Sequence, residues 1–166
     1  MTQRIFKFIL SALLTLSHHA VARQRVAVLD FELNDSTLLP NTVEEQRRTE
    51  SLRPLLEQAL LQKGDYEIIV VNAEAQATSN AGFGYLFSYH DLAAKLAEQF
   101  GADWVIVGQH NKPSFLYSHL IADLVYVNTK KWVSRFDIEL KGTHETVTRH
   151  GVSALADKIT KRLVRQ

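Results

Sequence analysis

Residues Ala102–Gln109 read A-D-W-V-I-V-G-Q, and this run constrains the fold more than any other stretch. It is apolar, rich in Val and Ile, and short. It follows a helical pattern that ends at Phe100-Gly101. A run of this kind is a buried strand entered from a helix. Burial on both faces needs covering layers on both sides, so the rest of the chain must supply helices to cover it.

The other elements follow from periodicity. Val26–Phe31 is the first strand, and Asn34, Asp35 and Ser36 turn the chain off its end, with a loop from Leu38 to Asn41. Val43–Lys63 is helical, with an apolar stripe of Leu52, Leu55, Leu56, Ala59 and Leu60. Pro54 forces a choice there. Either the helix kinks, or a second helix begins near Ser51 and carries the proline in its first turn, where it costs little. The pattern favours a bent helix. Tyr66–Val71 is a strand whose β-branched run, Ile68 to Val71, suggests burial on both faces. Glu74–Ala77 makes a short helical turn. Ser88 and Asp91 form a capping box for a helix burying Leu92, Ala93, Leu96 and Phe100. After the central strand, Asn111–Ser114 turns the chain. Tyr117–Val127 and Trp132–Leu140 then complete an antiparallel meander, with Trp132, Phe136, Ile138 and Leu140 on one side and Arg135, Asp137 and Glu139 on the other. A final helix follows Gly142-Thr143, with Val152, Leu155, Ile159 and Leu163 in its stripe. The fold class is α/β: a mixed sheet of about five strands in the order β-α-β-α-β-β-β-α.

The first 22 residues read as a processing segment. Arg4 and Lys7 precede an apolar stretch, and Ala20-Val21-Ala22 fits a small-x-small cleavage site. The expectation is a cleaved signal peptide at 1–22, one domain at 23–166, export to the periplasm, and no stable membrane span once cleavage has occurred. Removal of Arg4 and Lys7 leaves 17 basic against 18 acidic side chains, a balance that argues against a nucleic-acid binder. The chain has no cysteine, so stability must come from packing rather than disulfides.

V-A-V-L-D-F at 26–31 resembles the first strand of the TolB amino-terminal domain and of the CsgG-type secretion lipoproteins, whose fold is of the anticodon-binding-domain type. Gly101–Gln109 is similar to their G-A-D-x-V-V-x-G strand. The resemblance extends to small periplasmic proteins of unknown function that carry this domain alone. Lys141–Thr146 matches their last helix start only in part, lacking its Trp. The resemblance implies structural roles for Asp30, Asp103 and Gly108. Asp103 would orient or cap the helix–strand junction, and Gly108 would permit close packing. It also implies a non-enzymatic accessory or assembly role, binding another periplasmic or envelope protein or a second copy in a homodimer. TolB continues into a propeller and this chain does not, so TolB's partners are not carried over. Some single-domain relatives are similar to proteins encoded beside quinoprotein dehydrogenases, which implies an accessory role as well.

Phe83, Tyr85, Phe87 and Tyr89, interleaved with Gly82 and Gly84, are the candidate partner-binding residues, since rigid aromatic side chains anchor interfaces. The competing reading puts this loop back over the sheet as core. No G-x-G-x-x-G fingerprint is present, and no cofactor is implied. His110 and His119 would face one another if the hairpin between them turned near Ser114, making a weak metal candidate short of ligands. Asp30 and Asp35 bracket a strand end and read as solvated. His144, Glu145 and His150 do not form the H-E-x-x-H zinc motif. No G-x-S-x-G elbow exists, so an enzyme is the weakest class. A small-molecule or metal carrier is the alternative to a partner-binding module, and it requires a concave pocket near the ends of strands 26–31 and 103–109.

Overall fold

A computed structural model of the chain describes residues 23–165. The expected signal segment lies outside the described residues. Six strands and six helices follow in order: β1 (Gln24–Val28), β2 (Glu32–Asp35), α1 (Val43–Glu50), α2 (Leu52–Lys63), β3 (Tyr66–Ile69), α3 (Ala73–Ser79), α4 (Tyr85–Ser88), α5 (His90–Gln99), β4 (Trp104–Lys112), β5 (Tyr117–Tyr126), β6 (Lys131–Lys141) and α6 (Glu145–Leu163). The strands form one mixed sheet ordered β3-β1-β4-β5-β6, with β2 also paired to β4. β1, β2 and β3 run parallel to their neighbours, and the β4-β5-β6 meander is antiparallel.

The sheet is covered on both faces. Val26, Val28, Trp104, Ile106, Leu120, Leu124, Phe136 and Leu140 pack against Leu52, Leu56 and Leu60 of α2 and Val152, Leu155 and Ile159 of α6. Ala27, Leu29, Val105, Val107 and Val125 pack against Leu86 of α4 and Ala93, Leu96 and Ala97 of α5. β4 therefore occupies the interior position its composition requires. Gly101, at φ 81°, closes α5 in the left-handed region, and the backbone N–H of Ala102 returns to the carbonyl of Ala97 at 3.2 Å. Among the described residues no helix is long and apolar enough to cross a membrane.

Four expectations are corrected. The sheet has six strands, not about five, because Glu32–Asp35 is a strand rather than a turn. β1 and β2 run along the same edge of β4 and are interrupted at Asp30-Phe31. The Gln76 side chain satisfies that break, accepting from the Asp30 N–H at 2.9 Å and donating to its carbonyl at 3.1 Å. Residues 43–63 form two helices meeting at Ser51, so Pro54 lies in the first turn of α2, where no N–H is needed. β3 is an edge strand with only Tyr66 buried, so its β-branched run is not covered on both faces. The capping box is absent: Ser88 is the last residue of α4, and Tyr89 caps α5 without a side-chain bond.

Candidate protein-binding site

The aromatic segment is folded by its glycine and by Glu32. Gly84 has φ 72° and precedes α4. The Glu32 carboxylate accepts from the Gly84 N–H and from Asn80 Nδ2, each at 2.7 Å. The single turn of α4 then divides its side chains. Leu86 is buried in the core, Tyr85 and Phe87 are half-buried, and Phe83 and Tyr89 are 62% and 53% exposed. The two tyrosine rings stack obliquely at 4.8 Å between centroids. The segment is thus neither wholly core nor wholly surface.

Asp123 of β5 joins this segment to the meander. Its side chain is wholly buried and accepts four hydrogen bonds: two from Arg135, at 2.8 and 2.7 Å, one from Trp132 Nε1 at 3.1 Å, and one in its contact with His90 Nε2 at 2.9 Å. Burial pushes the carboxyl pKa up. The bonds from Arg135, His90 and Trp132 outweigh burial and hold it below the ordinary aspartate value. The Arg135 guanidinium lies 4.9 Å above the Phe87 ring. Trp132 and Arg135 remain about half exposed, at 51% and 50%. The sequence alternation predicts Trp132 on the Phe136 side. A register shift between Leu124 and Val125 moves it to the Arg135 side, since one extra residue in a strand reverses every side chain beyond it.

The remaining candidates are dispersed. Asp103 accepts from the Arg25 N–H at 3.0 Å and from its guanidinium at 3.2 and 2.8 Å, tying the starts of β4 and β1. The Arg25 side-chain bond holds the Asp103 pKa down. Asp30 contacts Arg53 Nη1 at 3.3 Å. A Cβ on Gly108 would collide with the Phe31 ring. His110 and His119 do not face one another. His110 pairs with Leu120, and His119 with Asn111, so the two rings point to opposite faces. His119 meets Asp137 at 2.8 Å. Among the described residues no three His, Cys, Asp or Glu side chains group so as to hold a metal ion.

Sequence reasoning missed a buried ionic cluster at the far end of β4. Lys112 Nζ lies 3.5 Å from Asp35 Oδ2 and 3.4 Å from Glu45 Oε1, and Arg48 Nη1 lies 3.5 Å from Glu45 Oε2. All four side chains are nearly inaccessible. Asp35 is therefore not loop-solvated. Burial raises its pKa, but bonds from Thr37 and Asn41, with the Lys112 charge, hold it low. His110 sits beneath, between Thr49 Oγ1 at 2.8 Å and Ser118 Oγ at 3.0 Å. The Thr49 hydroxyl donates its one proton to the Glu45 carbonyl, so it accepts from Nδ1–H, and Nε2 accepts from Ser118. Burial, then the charges of Arg48 and Lys112, push the imidazole pKa down to about 4.

A groove of about 440 Å³ runs between α1, α2 and the start of α6, lined by Arg47, Arg48, Pro54, Leu55, Thr148 and Arg149 among others. It lies among helices, not at the strand ends where the carrier alternative required a pocket.

This architecture is a mixed-sheet α/β domain, and its fold resembles those of several solved structures. The chain resembles the LpoB C-terminal domain from Salmonella enterica (TM-score 0.50, 17% identity, 81% of this chain and 94% of that one). It resembles TolB from Acinetobacter baumannii (TM-score 0.55, 16% identity) over 85% of its own length but only 28% of that chain. It also resembles the PelC dodecamer subunit from Paraburkholderia phytofirmans (TM-score 0.52, 13% identity, 80% of this chain and 84% of that one). At these identities the likeness is one of fold. No curated protein matches the chain. Residues 24–159 match the family DUF3280, described as "Protein of unknown function (DUF2380)", and the chain belongs to that family.

Proposed function

We propose that this chain is a non-enzymatic accessory or assembly module of the periplasm that binds another envelope protein, with residues 1–22 removed on export. The observation that supports this is the surface built around Asp123. Trp132 and Arg135 are exposed over a hub fixed by buried hydrogen bonds, and Phe83 and Tyr89 are exposed on the aromatic segment that His90 and Phe87 join to that hub. Tyr, Trp and Arg are the residue types that dominate binding energy at interfaces, and prior rigidity lowers the ordering cost of binding. Phe87 and Tyr85 support the surface from below.

Affinity capture of the mature chain from the envelope, read by mass spectrometry for proteins and for retained small ligands, tests the proposal. A protein should be captured, and Phe83→Ala with Tyr89→Ala should release it while the fold survives. Tyr85→Ala and Phe87→Ala should weaken capture less. A partner that is retained by the double variant removes this surface from the function, and a retained small ligand with no protein removes the proposal.

A further inference from the structure

At the pole of the sheet beyond Lys112, two loops carry the two most exposed large apolar side chains of the described residues, Leu38 and Leu116. The loop joining β2 to α1 presents Leu38 and Leu39, the first 92% exposed, with Val43 behind them. The β4–β5 hairpin presents Phe115 and Leu116, the second 78% exposed, with Tyr117 at the flank. Both loops are pinned to the same ionic cluster. Asp35 accepts from the N–H groups of Thr37 and Asn41 at 3.0 and 3.1 Å, the Ser36 N–H donates to the Lys112 carbonyl at 3.0 Å, and Lys112 Nζ lies 5.5 Å from the Phe115 ring centroid.

We infer that this pole is a lipid-binding tip, which seats both loops in the interface of a bilayer leaflet. The charge pattern distinguishes a lipid surface from a protein partner. Residues 36–43 and 113–119 contain no Asp, Glu, Lys or Arg in a chain that is 22% charged. The charges directly beneath are withdrawn from solvent and paired, two carboxylates against Lys112 and Arg48. A protein interface carries a polar rim and Arg anchors, as the Asp123 surface does, whereas these loops offer leucines with a Phe and a Tyr at interfacial depth. The loops also meet the backbone requirement of an apolar medium in part: Ser36, Thr37 and Asn41 donate within the fold, Pro40 and Pro113 have no N–H, and the Leu116 N–H and carbonyl are taken by Ser114 Oγ and the Gly142 N–H. Shallow insertion leaves the remaining groups among headgroups. The tip is separate from the aromatic surface. Trp132 pairs beside Val125, near the start of β4, whereas the tip follows its end, roughly 25 Å away at strand rise.

The absence of native cysteine makes a direct test simple. The full chain carrying Leu116→Cys is labelled with an environment-sensitive fluorophore, and a second preparation carries the label at Glu67→Cys, on β3 at the opposite pole. Each is mixed with phosphatidylethanolamine–phosphatidylglycerol vesicles, with and without brominated acyl chains. The label at position 116 should shift to the blue and be quenched by the brominated lipid, with little dependence on salt, and the label at 67 should do neither. Leu38→Glu with Leu39→Glu should lower vesicle partitioning reported at 116 by about tenfold or more, with an unchanged circular dichroism spectrum. Glu67 pairs with Arg25 near the start of β1, so the label at 67 also separates tip insertion from attachment through the segment that precedes β1 in sequence. Quenching at 67 and not at 116, or at neither, overturns the inference. So does a label at 116 that responds to protein concentration without vesicles while light scattering shows a dimer, because a second copy then covers the tip.

Discussion

Trp132 Nε1 donates to Asp123 across two adjacent strands at 3.1 Å, and the bond exists because β6 holds one residue more than β5 beside it. Without that bulge Trp132 would face the α6 side, and Asp123 would lose one of its donors. The same displacement places Trp132 beside Arg135, so one backbone irregularity brings the indole into the surface around Asp123.

Replacing Asp123 by Ala should therefore destabilise the domain by about 3 kcal/mol, since four hydrogen bonds to a buried charge are lost and His90 and Trp132 lose a shared acceptor. Urea denaturation followed by tryptophan fluorescence measures this, and the native emission of Trp132 should shift as the indole is released. A variant as stable as the parent would mean that the hub does not hold the surface together.

Lys112 balances two carboxylates in a nearly dry site. Lys112→Met removes the cation and leaves Asp35 and Glu45 facing one another's field, which should cost about 3–5 kcal/mol. Adding Glu45→Gln should recover a large part of that loss, because the second substitution removes the charge the first left unpaired. The double-mutant cycle should be strongly non-additive. Additive losses would place the worth of Lys112 in its packing against Phe115 instead.

The strands with simple environments were legible in the sequence. Residues 104–109 are apolar because both neighbouring layers are helical, and nothing distant is needed to see that. β2 was illegible for the opposite reason. Glu32-Leu33-Asn34-Asp35 has turn composition, and it is a strand because Glu32 is consumed by Gly84 and Asn80 and Asp35 by Lys112, residues 48 to 77 positions away. The bulge was invisible because no glycine marks it. The histidine pair failed by one residue of hairpin register, which is enough to turn a ring to the other face. Of the candidate site, the aromatic loop was visible as composition. Its partners Trp132 and Arg135 read as ordinary meander residues, since their meeting with Asp123 depends on register alone.

The neutral His110 makes acid sensitivity predictable. Its pKa falls from the ordinary 6.5 to about 4 in the fold, so the unfolded chain takes up a proton first as pH is lowered. The stability tied to the neutral ring is fully present above pH 6.5 and is lost as pH falls toward about 4, by roughly 3 kcal/mol over that window. Asp35 and Asp123 act lower: their pKa values are depressed, so their contributions fade only below the ordinary aspartate value of 3.8. Thermal melts at neutral pH and at about pH 4.5 should show the difference. In His110→Gln the fall between the two should shrink markedly, whatever the variant's stability at neutral pH. An equally steep fall would assign the acid response to other groups.

Gly108 and Gly151 both lie in close contacts, and their surroundings differ in compliance. A Cβ on Gly108 would enter the Phe31 ring at three of its atoms, and that ring is enclosed at the break between β1 and β2. Gly108→Ala should cost about 1–3 kcal/mol through forced repacking. At Gly151 the main obstacle is the tip of the buried Leu140 side chain, an aliphatic end with more rotamers than a ring, and alanine also gains about 1 kcal/mol of helix propensity in α6. Gly151→Ala should therefore lie near neutral. Denaturant midpoints of the two variants give the comparison, and Phe31→Leu should relieve the Gly108→Ala penalty in part by vacating ring volume. If Gly108→Ala is as harmless as Gly151→Ala, the Phe31 ring is free to move and the contact does not fix the β1–β2 break.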